Sequence, residues 1–375
     1  MKGEFHMKIR FPDYSDSIMN LSNSILQYFG AKNYHEGLSD LNALLEEKQY
    51  KHVVLMVNDG LGYENIQELL PEDSFLRQHL VRPISSIFPP TTTAATTALQ
   101  SGLSASQHGW MGWNVLVPQV DDVVTLFLRR GKSSGTFYSP DPAKTHLTYD
   151  NLYNKIPRET GVAAYGISPH EINKYDFNEP QRLYEMIEEF ASKDEKNYIY
   201  AYYDQPDGLM HMNGTQSQVV KDKVAYIDEQ LRILSTKLKD TLIIVTADHG
   251  LVDVENLYLE DYPELVELLS SETSIEPRAV NFFIKDGKKE AFESQFNQHF
   301  ADKFKLMSKA EVLESGLFGN FESHPNFKIA LGDYLAVATD RFTLLDTRQD
   351  PSFKAHHAGL TQREMLVPLI LIDCK

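Results

Sequence analysis

The feature that most constrains this chain is an alternation of short, nearly unbroken apolar runs with longer amphipathic stretches. "HVVLMVN" (52–58), "DVVTLFL" (122–128), "GVAAYGI" (161–167), "NYIYAYY" (197–203), "TLIIVTA" (241–247) and "MLVPLILI" (365–372) have strand length and little polar interruption. Runs of that kind belong to strands covered on both faces. Between them, "EPQRLYEMIEEFASK" (179–193) and "SQVVKDKVAYIDEQLRILSTKLK" (217–239) carry apolar residues at helical spacing. The alternation predicts an α/β fold, a mostly parallel central sheet flanked by helices on both faces. Residues 1–50 hold two helical segments, expected on the flank of the sheet. Residues 276–345 carry a strand–helix–strand signal of their own in "AVNFFIK", "KKEAFESQFNQHFADKF" and "DYLAVAT". We therefore expect a main domain over 1–275 and 346–375, with a small inserted α+β subdomain over 276–345.

Charge narrows the function classes. The net charge of −17 would repel a nucleic-acid backbone or an anionic membrane surface, so neither polymer nor membrane is expected as a partner. A small phosphorylated substrate remains compatible, because a local cluster of cations overrides the global field. The single cysteine, Cys374, has no partner for a disulfide within the chain. The opening residues, "MKGEFHMKIRFPDYSDS", lack the apolar core of a secretory leader. No apolar run approaches the ~18 residues that span a bilayer. These features together give the expectation of a cytoplasmic protein; the oligomeric state leaves no trace in the sequence.

In open α/β sheets, ligands gather beyond the carboxyl ends of the strands. Asp59 and Gly60 follow the first strong apolar run. Asp207 follows "YAYYDQP", with His211 four residues on. Asp248, His249 and Gly250 follow "TLIIVTA", and His356 and His357 stand before the last run. Taken singly, an Asp-Gly is a turn, Asp207 a helix cap and a histidine pair a surface feature. Taken together, three aspartates and three histidines suit two divalent ions with mixed N/O ligands, and Zn²⁺ suits such a set. A second cluster stands in "FPPTTTAATT": five threonines directly behind a double proline. Threonine is a mediocre helix former, but at a helix start its hydroxyl can cap free N–H groups or serve as a nucleophile.

"VNDGLG", "FPPTTTAATTALQSGL…QHGWMGW", "PDGLMHMNG", "VTADHG" and "HHAGLTQREMLVPLI" together resemble the alkaline phosphatase superfamily. Within it they are most similar to the type I phosphodiesterase/nucleotide pyrophosphatase family. The motifs fall in the family's order over residues 53–372. The resemblance implies an alkaline phosphatase-like catalytic domain that cleaves phosphodiester or pyrophosphate bonds in nucleotide-type or related small substrates. It implies one zinc ion on Asp59, Asp248 and His249, and a second on Asp207, His211 and His357, with Mn²⁺ as the alternative metal. Thr92, ten residues before Gly102, takes the position of the family's nucleophile and metal-bridging hydroxyl. Thr91 and Thr93 are its one-residue-slip alternatives, and Thr96 and Thr97 are structural. The Thr93 N–H is expected to hold a phosphoryl oxygen, and a contribution from His356 stays open.

Two departures bear on the substrate. Ala95 stands where the family's nucleotide pyrophosphatases carry asparagine, and Met210 where they carry glycine. Trp110, Trp113 and Tyr63 are candidates for stacking on a base or an aryl leaving group, with simple packing as the other reading. The turn-rich stretch 129–160 could border the pocket, where Arg129, Arg130 and Lys132 would meet phosphates or form a solvated basic turn. The rival functions are a phosphomonoesterase, phosphonate hydrolase or phosphomutase of the same superfamily, and a non-catalytic binding protein.

Overall fold

Five of the six apolar runs enter one seven-stranded sheet and the sixth enters another. The computed structural model describes residues 7–169 and 175–375; the first six residues, read above for a leader, lie outside them. The central sheet runs in the order Leu80–Ser85, Leu366–Cys374, Thr241–Thr246, His52–Asn58, Asn197–Tyr203, Ala163–Pro169, Tyr175–Phe177. Its neighbours are parallel except at Leu366–Cys374, which is antiparallel to the strand on either side. Every residue of His52–Asn58, Asn197–Tyr203 and Thr241–Thr246 is buried, as their unbroken apolar character requires. At ~1.5–3 kcal/mol per buried aliphatic side chain, these three strands anchor the domain.

Helices cover the sheet in two groups. Ile18–Phe29, Thr92–Ser101 and Leu152–Thr160 pack on one another, and Gln218–Ser235 packs on Tyr63–Leu69, Phe75–Gln78 and Pro180–Ala191. Gln218–Ser235 buries Val220, Val224, Ile227, Leu231 and Leu234, the three- and four-residue spacing that faces one stripe inward. The first group fixes the threonine-rich helix: Ser22 Oγ donates to the Leu99 carbonyl at 2.7 Å, and Asn23 Nδ2 to the Gly102 carbonyl at 2.8 Å.

The run "DVVTLFL" departs from expectation. Asp122–Thr125 forms an antiparallel hairpin with Asn114–Val117, and Leu126–Leu128 turns away as a 3₁₀ segment. The reason is turn chemistry: "PQVD" between the strands, with Asp121 at φ 51°, pairs the run locally before it can reach the central sheet. Phe127 and Leu128 accordingly end up exposed.

The hairpin belongs to a second, antiparallel sheet. Its order is Phe304–Ser308, Tyr334–Ala338, Ala279–Phe282, Ser274–Glu276, Asn114–Val117, Asp122–Thr125, Arg130–Gly131. Helix Lys289–Phe300 presents Phe292, Phe296 and Phe300, four residues apart, to a separate apolar cluster with Phe282 and Phe304. Of the strands within 276–345, Ala279–Phe282, Phe304–Ser308 and Tyr334–Ala338 share their sheet with residues 114–131, while Phe342–Leu345 pairs with Glu255–Tyr258, so both sheets extend beyond the stretch read as an insert.

Candidate active site

The registers of the central sheet decide where the polar residues meet. Asn58 pairs with Tyr203 and Val57 with Thr246, so Asp59, Asp207 and Asp248 leave the sheet at the same end. The antiparallel last strand enters at that end too, because Leu366 pairs with Ser85. The chain therefore delivers the His357 segment and the approach to Thr92 to the same place. This is the carboxyl edge, where α/β sheets hold ligands.

Helix Thr92–Ser101 begins at Thr92, with Thr91 as its extended N-cap residue at φ −142° and ψ 149°. The Thr91 hydroxyl does not cap the helix; it donates to Glu276 Oε1 at 2.6 Å. Thr96 and Thr97 donate back to the carbonyls of Thr92 and Thr93 at 2.6 and 2.7 Å, a structural use of both side chains. Thr93 Oγ1 is buried without a hydrogen-bond partner among the described residues. Thr92 Oγ1 lies 3.5 Å from each oxygen of Asp59 and 3.3 Å from His249 Nε2. These separations are at the limit of hydrogen bonding. They place the hydroxyl among its neighbours without a tight hydrogen bond to any of them.

Two overlapping triplets surround it. In Asp59, Asp248 and His249, one ligand atom from each lies within 4.8 Å of the others, and the same holds for Asp207, His249 and His357. His249 Nε2 is 3.4 Å from Asp59 Oδ1 and 3.5 Å from Asp248 Oδ2. His211 Nε2 is 3.3 Å from Asp207 Oδ1, and its ring centroid is 5.2 Å from that of His357. All the residues expected as metal ligands therefore converge, although His249 rather than His211 completes the tighter triplet around Asp207. His356 is buried beside them and turns its Nδ1 toward the His357 N–H at 2.9 Å.

Surrounding groups orient this cluster. His211 Nδ1 sits 2.7 Å from the Ala355 carbonyl, a contact that places the proton on Nδ1 and leaves Nε2 free to accept. Tyr202 donates its hydroxyl proton to Asp59 Oδ2. Asp248 Oδ1 accepts from the N–H groups of Gly60 at 3.1 Å and His249 at 3.0 Å.

What this leaves unsatisfied fits a cation. Among the described residues, Asp207 Oδ1, Asp248 Oδ2 and His357 Nδ1 are buried and make no well-formed hydrogen bond; the imidazole nitrogens nearest the two carboxylate oxygens stand at 3.3 and 3.5 Å. A buried polar atom without a partner costs about 1–3 kcal/mol, and more when charged. Burial, and then the neighbouring Asp248 and Asp207, push the Asp59 carboxyl well above the usual carboxylate range. Burial, and then His249 and His356, hold His357 well below the usual imidazole range and so neutral. Crowded carboxylates beside imidazoles, His357 among them held neutral, form an N/O donor set for divalent cations, which would satisfy the orphaned atoms and cancel the repulsion.

Other expected residues take different places. Trp110 is buried, donates its indole N–H to the Leu147 carbonyl at 2.8 Å and packs on Tyr149, so packing accounts for it. Trp113 is exposed edge-on to Phe127, and its backbone N–H donates to Glu276 Oε1 at 2.8 Å. Tyr63 opens the Tyr63–Leu69 helix, and its hydroxyl accepts from Gln67 Nε2 at 2.9 Å. Lys132 is committed to Asp346 and Thr273, and Arg129 stacks on Phe137. Arg130 lies in the short strand at the end of the second sheet. Ala95 and Met210 are both fully buried. Sequence reading missed Glu276 and Tyr202. For Tyr202 a signal existed, since Tyr198, Tyr200 and Tyr202 alternate along one strand; for Glu276 none did.

A hydroxyl at a helix start thus faces two overlapping acid–imidazole triplets, each able to hold a metal ion, at the carboxyl edge of an α/β sheet. The family model described as type I phosphodiesterase/nucleotide pyrophosphatase matches residues 53–359, and the chain belongs to that family. Human ectonucleotide pyrophosphatase/phosphodiesterase family member 5 is 26% identical over 336 residues, covering 84% of this chain and 66% of the human protein. Family member 7 from Rattus norvegicus is 25% identical over 132 residues, 34% of this chain and 28% of the rat protein. The chain thus spans less than two thirds of the length of these relatives. Among solved structures, murine member 5 superposes with a TM-score of 0.66 at 17% identity, over 86% of this chain and 88% of the murine one. An inactive form of the murine protein in complex with AMP superposes with the same TM-score at 18% identity, over 86% and 87%. These superpositions establish the shared fold.

Proposed function

We propose that the protein hydrolyses phosphodiester or pyrophosphate bonds in nucleotide-type or related small substrates, through a phospho-threonine intermediate on Thr92. The observation that carries this reading is the position of Thr92 Oγ1, between Asp59 and His249 at the first residue of a ten-residue helix. Asp59, Asp248 and His249, with Thr92, would hold one divalent ion; Asp207, His211 and His357 would hold the other, and zinc suits these donors best. Such ions, when bound, favour the alkoxide of a neighbouring alcohol and neutralise charge on phosphoryl and leaving oxygens.

The chain's own groups supply the rest. Thr92 Oγ1 forms a bond to phosphorus as the bond from phosphorus to the leaving oxygen breaks, and that oxygen takes up a proton. Water then attacks the phospho-threonine from the opposite side, releasing the phosphoryl product and restoring the hydroxyl. The Thr93 N–H, in the first turn of the helix, donates to a phosphoryl oxygen where the helix dipole favours negative charge. Thr91, the slip alternative, is occupied by Glu276, which supports Thr92 as nucleophile. Family membership and the AMP complex of the murine relative support a nucleotide-type substrate.

The test compares hydrolysis of bis-p-nitrophenyl phosphate with that of the mono-ester, alongside zinc content by elemental analysis. Preference for the diester with about two zinc ions per chain is expected. Preference for the mono-ester would make the protein a phosphomonoesterase, and a chain that takes up no metal would be a binding protein.

A further inference from the structure

One short segment of the second sheet reaches both halves of this site. Glu276, at the end of strand Ser274–Glu276, receives on Oε1 the Thr91 hydroxyl at 2.6 Å and the Trp113 N–H at 2.8 Å. Thr91 immediately precedes Thr92, so a side chain from the second sheet grips the residue from which the nucleophile helix springs. Two residues on, Arg278 is fully buried and forks onto Glu364, Nε to Oε1 at 2.7 Å and Nη2 to Oε2 at 2.8 Å. Its Nη1 donates to the Phe342 carbonyl at 2.7 Å. Glu364 in turn accepts from the Gly359 N–H at 2.7 Å, the Thr361 N–H at 3.2 Å and the Thr361 hydroxyl at 2.6 Å. These residues follow directly on His357.

The backbone around both contacts is held where it would not rest alone. Ile275 has φ +74° and Ala358 φ +88°, left-handed values that cost side-chain-bearing residues about 1–3 kcal/mol each. Ile275 adjoins Glu276, and Ala358 adjoins His357. Glycines permit the close approach in both places. A Cβ on Gly112 would lie 3.0 Å from the Ile275 Cα, and one on Gly359 would lie 2.8 Å from Arg278 Nη2. Strain of this kind persists only where surrounding contacts over-determine the conformation. Here those contacts are the carboxylate of Glu276 and the guanidinium of Arg278.

We infer that Glu276–Pro277–Arg278 is a positioning clasp: Glu276 sets Thr92 through Thr91, and Arg278 sets His357 through Glu364, so that the second sheet registers the nucleophile against the metal-ligand loop. The inference rests on the roles proposed above for Thr92 and His357. It gives the second sheet a task in the reaction without placing any of its side chains on the substrate.

The test uses the full chain with Glu276→Ala, Glu276→Gln and Arg278→Lys, each checked for native near-UV circular dichroism. Loss of the Thr91 grip is expected to lower kcat by about 10–100-fold in Glu276→Ala with KM and zinc content little changed, the signature of a misplaced reacting group. Glu276→Gln keeps a carbonyl oxygen to accept both hydrogen bonds and is expected to recover most of that loss. Arg278→Lys forfeits the fork and is expected to weaken zinc binding about 10–100-fold, read by titration against a chromophoric chelator without any substrate. A wild-type kcat in Glu276→Ala, equal impairment of the Ala and Gln variants, or unchanged zinc affinity in Arg278→Lys would each overturn the clasp. A wild-type protein that binds zinc but cleaves no phosphoester would instead sink the proposed function, and the chelator titration would still decide the Arg278 arm.

Discussion

His249 and His357 stack nearly face to face, with ring centroids 3.9 Å apart and planes at 29°. Two buried imidazoles in that arrangement cannot both carry charge, and burial with the adjacent His249 holds His357 neutral. Neutral rings keep their lone pairs, which is what a metal ligand must offer. The stack therefore leaves His357 able to offer a lone pair without first shedding a proton.

Zinc removed with a chelator and returned at about a hundred times its dissociation constant is expected to stabilise the chain by roughly 2.7 kcal/mol per linked site. Calorimetric scans with and without the metal measure this. Asp248→Asn, which weakens one of the two orphaned carboxylate positions, should bind one zinc ion fewer per chain by elemental analysis.

Thr92→Ala is expected to abolish turnover, a loss of at least about 10³-fold, while zinc content and melting temperature stay near wild type. Thr92→Ser keeps the hydroxyl and should retain measurable activity. Mass spectrometry of acid-quenched wild-type enzyme should find a phosphoryl group on Thr92 and none on Thr91 or Thr93. A phosphoryl group on either neighbour would move the nucleophile by one position.

Tyr202→Phe removes the hydroxyl donor to Asp59 Oδ2 while keeping the ring in the buried strand. Groups that orient metal ligands typically contribute 10–100-fold in metal affinity or activity. We expect a zinc affinity about tenfold weaker with an unchanged fold, checked by chelator competition and circular dichroism.

Glu276 sets a pH dependence of stability in the metal-free chain. Burial raises its carboxyl to about 7, opposed in part by the hydrogen bonds from Thr91 and Trp113. Between the ordinary glutamate range and about pH 7 the folded state then holds a proton that the unfolded state has lost. The unfolded state binds fewer protons there, so stability falls as pH rises through this window and levels off above it. The decline amounts to roughly 3 kcal/mol. Urea unfolding of wild type and Glu276→Gln at a series of pH values should show it as a difference: the wild type loses stability relative to the variant across this window.

The parts of this molecule that could be read in advance are those whose logic is local. Asp59, Asp248 and His249 stand directly behind apolar runs, so strand position alone placed them at a ligand-binding edge. The helix beginning at Thr92 followed from the double proline and the small, hydroxyl-rich run behind it. "DVVTLFL" misled because four residues of a hairpin strand and three of a 3₁₀ turn make an apolar run as long as a core strand. Glu276 and Arg278 were invisible for a different reason. Their partners lie 185 and 86 residues away in the chain, and a buried charge whose counterpart is remote leaves no local pattern. The pairing of 114–131 with 274–338 in one sheet is equally non-local.

The antiparallel strand Leu366–Cys374 sits between Thr241–Thr246 and Leu80–Ser85, and among the described residues the latter has no other strand beside it in that sheet. During synthesis, the segment leading to Thr92 leaves the ribosome well before the strand that builds its seat in the sheet. A nascent chain must therefore wait from Ser85 to Leu366 for the strand that seats it, with the apolar edge of Thr241–Thr246 open from the time that strand emerges until Leu366–Cys374 arrives. Unfinished chains thus have an incomplete candidate site and present a surface for chaperones to cover.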